Sequence, residues 1–110
     1  MSIVKLFENK QIRSIWSEAE EKWYFVVKDV VAALTNSKNT KQSIKYLRKC
    51  DKELAKEWVH LVSTFTVETA GGKQPINCAD LKGIFRIIQP IKPSKTESFK
   101  RWLTQVDGEY

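Results

Sequence analysis

The sequence has few of the residues that build metal sites and disulfide frameworks, and it has no long apolar run. It contains two cysteines and one histidine in 110 residues, which are too few for a metal-ligand cluster or a disulfide scaffold. Its apolar runs are only a few residues long, too short to span a membrane. The N-terminal residues lack the apolar core and small-residue cleavage site of a secretory signal. These absences predict a reduced, cytoplasmic protein with no cofactor and no metal.

The net charge of +6 is concentrated in two parts of the chain. Residues 1–37 hold five basic and five acidic side chains, whereas residues 38–49 hold five basic and no acidic ones. Residues 73–101 hold seven basic and two acidic side chains, and segments 50–72 and 102–110 each carry −2. Clustered positive charge is typical of nucleic-acid binders, although many small domains are basic without binding anything.

The apolar pattern predicts a single α+β domain that covers residues 1–110. A hydrophobic fraction of 42% with four tryptophans is typical of a folded globule of one domain's length. Residues 3–7 and 11–16 are predicted strands joined by a turn at Asn9-Lys10, and residues 23–27 form a third strand. The expected architecture is a small antiparallel sheet with a β-hairpin, packed against four to five helices.

The rest of the chain is predicted to be mainly helical. Residues 28–34 form a first helix, and Thr40 is the predicted N-cap of a second helix over residues 41–49. These two helices make a helix-turn-helix-like pair. Further helices are expected after Asp51, over residues 79–89, and after a cap at Ser94 or Thr96.

The glycine loop Ala70-Gly71-Gly72-Lys73-Gln74 lies between two segments with strand alternation. A nucleotide-binding Walker loop needs glycine five residues before Gly72, serine or threonine after Lys73, and a following helix. The sequence has Val67, Gln74-Pro75 and a strand instead, which argues against nucleotide binding. We predict a tight hairpin turn that needs a positive φ, with Lys73 and Gln74 exposed at its tip and suited to phosphate or base contacts.

Residues 41–52 show a basic face when they are placed on a helical wheel at about 100° per residue. An arc of about 100° contains Lys41, Lys45, Arg48, Lys49 and Lys52, and the other side contains Ile44, Tyr46, Leu47 and Cys50. No acidic residue on the basic face neutralises it by i, i+4 pairing. We therefore predict that this helix docks on the core and presents a DNA-binding face, although an ordinary solvated helix can show a similar stripe.

Signatures of enzymes are absent from the sequence. His60 lies in the apolar segment WVHLV and is predicted to be a core or hairpin-edge residue. Cys50 and Cys78 are predicted to be small core residues. The four tryptophans are interpreted as core and interface aromatics, with stacking on single-stranded bases as a weaker alternative. We predict no catalytic activity.

Four motifs follow one another between residues 23 and 106: WYFVVKDVVAAL, KYLRKCDKELAKEW, TAGGKQPINCADLKGIFRIIQ and SFKRWLTQV. Together they resemble the Bro-N domain, the N-terminal domain of baculovirus Bro proteins, which also occurs in phage and prophage antirepressors and in DNA-damage-inducible protein D-like proteins. The resemblance that these motifs carry covers about residues 5–106. ELAKEWVHL with GGKQ is most similar to the damage-inducible branch. The resemblance implies a DNA-binding or transcription-regulating module without defined catalytic residues, usually joined to a variable C-terminal domain.

The residues and the resemblance together predict the DNA-binding module of a prophage antirepressor, transcription regulator or DNA-damage-inducible protein. The expected partner is DNA, with double-stranded DNA favoured, and a homodimer would supply more base contacts than one small module. The expected location is the cytoplasm, on the nucleoid. The alternative is a protein-interaction module that binds and sequesters a repressor. The lysines would neutralise phosphates, while Gln42 and Arg48 are best suited to read base edges. The predicted DNA-binding residues are Lys38, Lys41, Gln42, Lys45, Arg48, Lys49, Lys52, Lys73, Gln74, Lys95, Lys100 and Arg101.

Overall fold

Within residues 2–35, 38–91 and 93–108, which this computed structural model describes, the chain forms five strands and five helices. The side chains of Ser2 and of residues 93–95 lie outside that description. The strands are β1 (Ser2–Phe7), β2 (Lys10–Ser17), β3 (Lys22–Val26), β4 (Ser63–Thr69) and β5 (Gly72–Ala79). The helices are α1 (Val27–Thr35), α2 (Thr40–Cys50), α3 (Lys52–Leu61), α4 (Leu81–Ile88) and α5 (Pro93–Asp107). The predicted α+β class is confirmed.

The strands form one antiparallel sheet in the order β1-β2-β3-β5-β4. The first hairpin pairs Phe7 with Lys10, so its two-residue loop is Glu8-Asn9, with φ of 49° and 67°. Two successive positive φ values are typical of the type I′ turn that matches strand twist. The predicted turn at Asn9-Lys10 was therefore one residue too late, because Lys10 already pairs in β2.

The two faces of the sheet carry separate apolar clusters. Phe25 pairs with Ala79 and Val26 pairs with Cys78, and successive residues of a strand point to opposite faces. Phe25 and Ala79 belong to the main core, to which every one of the helices named above contributes. Val26 and Cys78 belong to a smaller cluster of strand side chains. Cys78 is fully buried and is therefore the core residue that the sequence predicted, and this burial raises the pKa of its thiol to about 12.

Several helix boundaries differ from the sequence prediction, including those of α4, which covers Leu81–Ile88 instead of residues 79–89. The N-cap of α2 is Asn39 instead of Thr40. Asp51 ends α2 and caps α3, so Lys52 belongs to α3. The helical wheel over residues 41–52 therefore treated parts of two helices as one. Helix α5 already includes Pro93, whose fixed φ suits a first helical turn, and Thr96 is therefore not a cap.

Three side chains are more exposed than the sequence suggested. Cys50 is exposed on α2, and Tyr46 on the same helix is 65% exposed, so neither forms the apolar back of α2. His60 is exposed on α3, and its prediction as a core or hairpin-edge residue was wrong. No helix in the described part of the chain has the length and apolar character needed to cross a membrane.

Candidate nucleic-acid interface

Helix α2 contacts the core through a narrow apolar edge. Leu47 is its only buried residue among those described, and the partly buried Ile44 packs against the same core. The side chain of Asn39 accepts the backbone N–H of Gln42 at 3.1 Å, which satisfies one of the free donors of the first turn. This narrow contact leaves most of the remaining circumference of α2 open to solvent.

The cations of α2 occupy that open circumference. Lys41, Lys45, Arg48 and Lys49 are all exposed, and within residues 2–35, 38–91 and 93–108 none of them forms an ion pair. Their positive charge is thus uncompensated by the fold. A cluster of unpaired cations on one helix raises the local potential and attracts a polyanion.

Asp51 ends α2, caps α3 and is bonded to Arg86 of α4. Its carboxylate accepts the Leu54 N–H at 3.0 Å and accepts two bonds from the Arg86 guanidinium, at 3.0 and 3.3 Å. Arg86 also donates to Glu57 at 2.8 Å. The Arg86 bonds, followed by the Leu54 N–H, hold the pKa of Asp51 below its usual value. The start of α3 is therefore fixed to α4.

Helix α3 places its residue Trp58 against the Arg48 side chain of α2. The Arg48 guanidinium carbon lies 5.0 Å from the centre of the Trp58 ring, within the range of a cation–π contact. Trp58 is itself 8% exposed and part of the main core. A guanidinium on a fixed aromatic face loses less freedom on binding than a lysine ammonium on a mobile stem.

A groove of about 760 Å³ runs between α2, the start of α1 and strand β5. Four cations line it, three from α2 and Lys28 from α1, and no acidic residue does. Apolar residues and three residues of β5 complete the wall. The residues of α2 in the groove are Thr40, Lys41, Ile44, Lys45 and Arg48, and those of the wall include Val27, Trp58, Pro75, Ile76 and Asn77.

Lys28 lines the groove because the first turn of α1 is held against the sheet. Asp29 accepts the Arg13 backbone N–H at 3.0 Å and the Arg13 guanidinium at 2.8 and 3.0 Å. Arg13 lies in β2, so these bonds join the N-terminus of α1 to the sheet. An acidic residue in the first turn also suits the helix dipole. The sheet therefore positions a cation of α1 beside those of α2.

The tip of the β4–β5 hairpin is the two-residue loop Ala70-Gly71, because Thr69 pairs with Gly72. Gly72 has a φ of 101°, which confirms the turn requirement predicted from the sequence. Lys73 and Gln74 are exposed at the start of β5. Glu68 pairs opposite Lys73, so one carboxylate accompanies the cation of the tip.

The structure brings only some of the predicted residues together. Lys41, Lys45 and Arg48 line the groove, whereas Gln42 accepts a bond from Asn39 at 3.3 Å and is not part of it. The neighbours of α2 at its two ends, Lys38 and Lys52, are exposed. Lys100 and Arg101 line a separate concavity of about 420 Å³ with residues of α4 and α5, and Arg101 pairs with Glu97 at 3.5 Å. Lys95 belongs to α5, and its side chain lies outside the described residues.

The comparison with protein families gives a match over nearly the whole chain. Residues 11–107 match the model of the BRO family, N-terminal domain. The chain belongs to the BRO family. Comparisons with curated proteins and with solved structures gave no significant match.

Membership of the BRO family agrees with the exposed charge. The family suggests a DNA-binding domain of the phage or prophage antirepressor type, and it is a regulatory family that is not known as enzymatic. In the described ranges, no group of three or more histidine, cysteine, aspartate or glutamate side chains could hold a metal ion. Nucleic-acid binding in general is thus what the BRO family assigns to this chain.

Sequence reasoning missed two groove residues of this BRO domain, Lys28 and Trp58. Lys28 precedes the basic block 38–49 by ten residues and stands beside an acidic neighbour, so its charge gave no signal. Trp58 was interpreted as a core aromatic, which is correct for most of its surface. Its contact with Arg48 depends on the turn at Asp51, and a helical wheel drawn through that position could not show it.

Proposed function

We infer that this domain binds DNA, double-stranded in preference, through the exposed basic face of α2. The observation that carries the proposal is the set of cations on α2 that face solvent without an ion pair among the described residues. Such cations neutralise phosphates and release condensed counterions, which supplies nearly all of non-specific DNA affinity and a large share of specific affinity. The start of β5, with Lys73 and Gln74, would contact the backbone beside α2.

The proposal makes the domain the DNA-binding part of a prophage antirepressor, transcription regulator or DNA-damage-inducible protein. Its place would then be the cytoplasm, on the nucleoid. The predicted α5 residues Lys95, Lys100 and Arg101 would add positive potential at a distance from the groove. We also expect two copies on one site, because one small module rarely reads enough bases alone. Sedimentation of the protein–DNA complex measures that stoichiometry.

The first test is fluorescence anisotropy with labelled duplex and single-stranded DNA over a range of salt concentrations. The variant is Lys45→Glu with Lys49→Glu, which leaves Arg48 in place because its contact with Trp58 is part of the packing. Each lost phosphate contact lowers the slope of log affinity against log salt by about 0.9, so we expect a loss of nearly two units. Affinity at low salt should fall by about tenfold or more.

A second double variant controls for net charge. Lys56→Glu with Lys82→Glu makes the same change of charge on α3 and α4, and both lysines are exposed. We expect this control to retain nearly all of the affinity and the slope. Equal losses in both variants would contradict an interface on α2, and the absence of any binding at low salt would contradict DNA binding itself.

A second candidate function is the binding of a repressor protein. Tyr46 on α2 and Val59 on α3 favour it, since they are large apolar side chains with exposed fractions of 65% and 74%, and Tyr is enriched in protein interfaces. Binding of a purified phage repressor that persists at high salt, and that Tyr46→Ser with Val59→Ser removes, would support this function. Phosphate-dominated binding would instead weaken steeply with salt.

A further inference from the structure

Arg48 differs from the other cations of α2 in its surroundings. It is the only arginine of α2, and its guanidinium lies over the Trp58 ring at 5.0 Å. Lys41 and Lys45 line the same groove but have no aromatic contact among the residues described. A lysine ammonium is a mobile point charge, whereas a stacked guanidinium presents a planar fork of donors in a fixed orientation.

The stacking leaves the hydrogen-bonding edge of Arg48 free. An aromatic face contacts the plane of the guanidinium and not its N–H groups, and Arg48 has no carboxylate partner within residues 2–35, 38–91 and 93–108. Its donors are therefore available on the wall of a groove whose charged lining residues are all cations. Two parallel N–H groups match the O6 and N7 acceptors of guanine in the major groove.

Gln42, the other side chain suited to base edges, is placed differently. Its side-chain oxygen accepts a bond from the Asn39 amide at 3.3 Å, and its backbone N–H donates to the same residue. Gln42 thus takes part in the N-cap of α2 and does not line the groove. Of the two candidates for base reading, Arg48 alone lines the groove, where its guanidinium lies over the Trp58 ring.

We propose that Arg48 is the specificity-determining residue of the DNA site, that it recognises guanine, and that Trp58 is its positioning residue. This inference rests on the proposed function and deepens it. The lysines of α2 contact phosphate and supply affinity that does not depend on sequence. Trp58 is 8% exposed and lies 5.0 Å from the Arg48 guanidinium carbon, so its role in the proposal is to hold Arg48.

The test selects bound duplexes from a random-sequence pool and compares five proteins. They are the wild type, Arg48→Lys, Trp58→Leu, Trp58→Phe, and the exchange Lys45→Arg with Arg48→Lys. The last keeps both charge and composition but moves the arginine away from Trp58. The readouts are the affinity ratio between the selected site and a site with the guanine replaced, and the slope of affinity against salt. Circular dichroism checks that each variant is folded.

We expect Arg48→Lys to lower the discrimination at one guanine by roughly 5- to 150-fold, the value of a good bidentate contact, and to keep the salt slope. Trp58→Leu and the exchange variant should lose the discrimination as well, because both leave the arginine without its aromatic support. Trp58→Phe retains a ring and should stay within about twofold of the wild type. In the NMR spectrum, the ring-current shift of the Arg48 side-chain protons should vanish in Trp58→Leu and persist in Trp58→Phe.

Distinct outcomes overturn the inference and the proposed function. If Arg48→Lys or the exchange variant discriminates as well as the wild type, Arg48 on Trp58 is not the specificity determinant. The same conclusion holds if the wild type binds duplexes but selects no guanine, and DNA binding would then still stand. If no duplex from the pool is retained at low salt, the proposed function fails, and the inference fails with it.

Discussion

Asp51 is a single residue on which the geometry of the candidate site depends. It caps α3 and receives the Arg86 guanidinium, and these bonds direct α3 so that Trp58 lies beneath Arg48. The helical wheel identified the cations of α2 because their spacing follows the 3.6-residue period. It could not identify their supports, since Arg86, Trp58 and Lys28 lie in other helices and meet α2 only through tertiary packing.

The lowered pKa of Asp51 predicts how the free energy of unfolding changes at acidic pH. Its pKa is lowered from 3.8 by the bonds to Arg86 and then to the Leu54 N–H. A carboxylate with a lowered folded-state pKa stabilises the fold above its unfolded value and loses that contribution as pH falls through the folded-state value. Asp51→Asn should therefore unfold at a lower urea concentration than the wild type at pH 7. The difference should shrink as pH falls below about 4.

A surface carboxylate provides the control for Asp51. Glu53 pairs with Lys56 at 3.8 Å, and both side chains are largely exposed. The pair therefore contributes little to the stability of the fold. Glu53→Gln should leave the urea midpoint nearly unchanged at both pH values. A midpoint of Asp51→Asn equal to that of the wild type at pH 7 would show that the Arg86 bonds do not stabilise the fold.

At the scale of elements, the β4–β5 hairpin was predicted from its glycine pair, and the structure distinguishes the two glycines. Gly72 has a φ of 101°, while Gly71 does not have a positive φ. A Cβ added at Gly72 would meet nothing within 4 Å, and one at Gly71 would lie 3.4 Å from Gln74 Nε2. A loss of stability on replacing Gly72 with alanine would therefore come from the backbone conformation and not from a steric contact.

The two positions form a matched pair for measurement. Gly72→Ala should destabilise the protein by about 1–2 kcal/mol, because an L-residue is strained at positive φ. The melting temperature should fall by about 4–8 °C, since each kcal/mol corresponds to about 4 °C in a domain of this size. Gly71→Ala should change it by less than half as much. Equal effects of the two substitutions on the melting temperature would contradict the conformational explanation.

The boundaries of elements were less predictable from the sequence than their types. Helices and strands were found wherever periodicity was strong, as in α4, whose buried residues recur at helical spacing. Errors arose where one residue decides between two caps, as at Asn39 and Thr40, or where a cap interrupts a continuous wheel, as at Asp51. Both depend on side-chain bonds to the backbone, which outweigh small differences in helix propensity.

At the scale of the whole molecule, the main core joins the helices α1 to α5 to the sheet. Its members include Phe7 of β1, Leu47 of α2 and Leu103 of α5, which are far apart in sequence. The Cα radius of gyration is 13.2 Å, close to the value of about 13 Å expected for a single compact domain of this length. A single domain over residues 1–110, as the sequence predicts, should unfold cooperatively.

We expect urea unfolding to occur in a single transition. The tryptophans lie in β2, β3, α3 and α5, so their fluorescence reports on packing throughout the molecule, while far-UV circular dichroism reports on the helices. In a two-state domain the two curves coincide, with a slope of about 1–3 kcal/mol per molar urea. An earlier fluorescence transition would show that part of the core opens independently.

The same curves decide how the DNA-binding variants are interpreted. Lys45 and Lys49 are exposed and lie outside the main core, so their replacement should leave the transition midpoint unchanged. A loss of DNA affinity without a shift of the midpoint is then a loss of contacts. Trp58→Leu removes a core side chain and should lower the midpoint, because the smaller residue leaves a cavity. A loss of discrimination in Trp58→Leu supports the positioning role of Trp58 only if this variant is fully folded without urea. The unfolding curve of the variant shows whether it is.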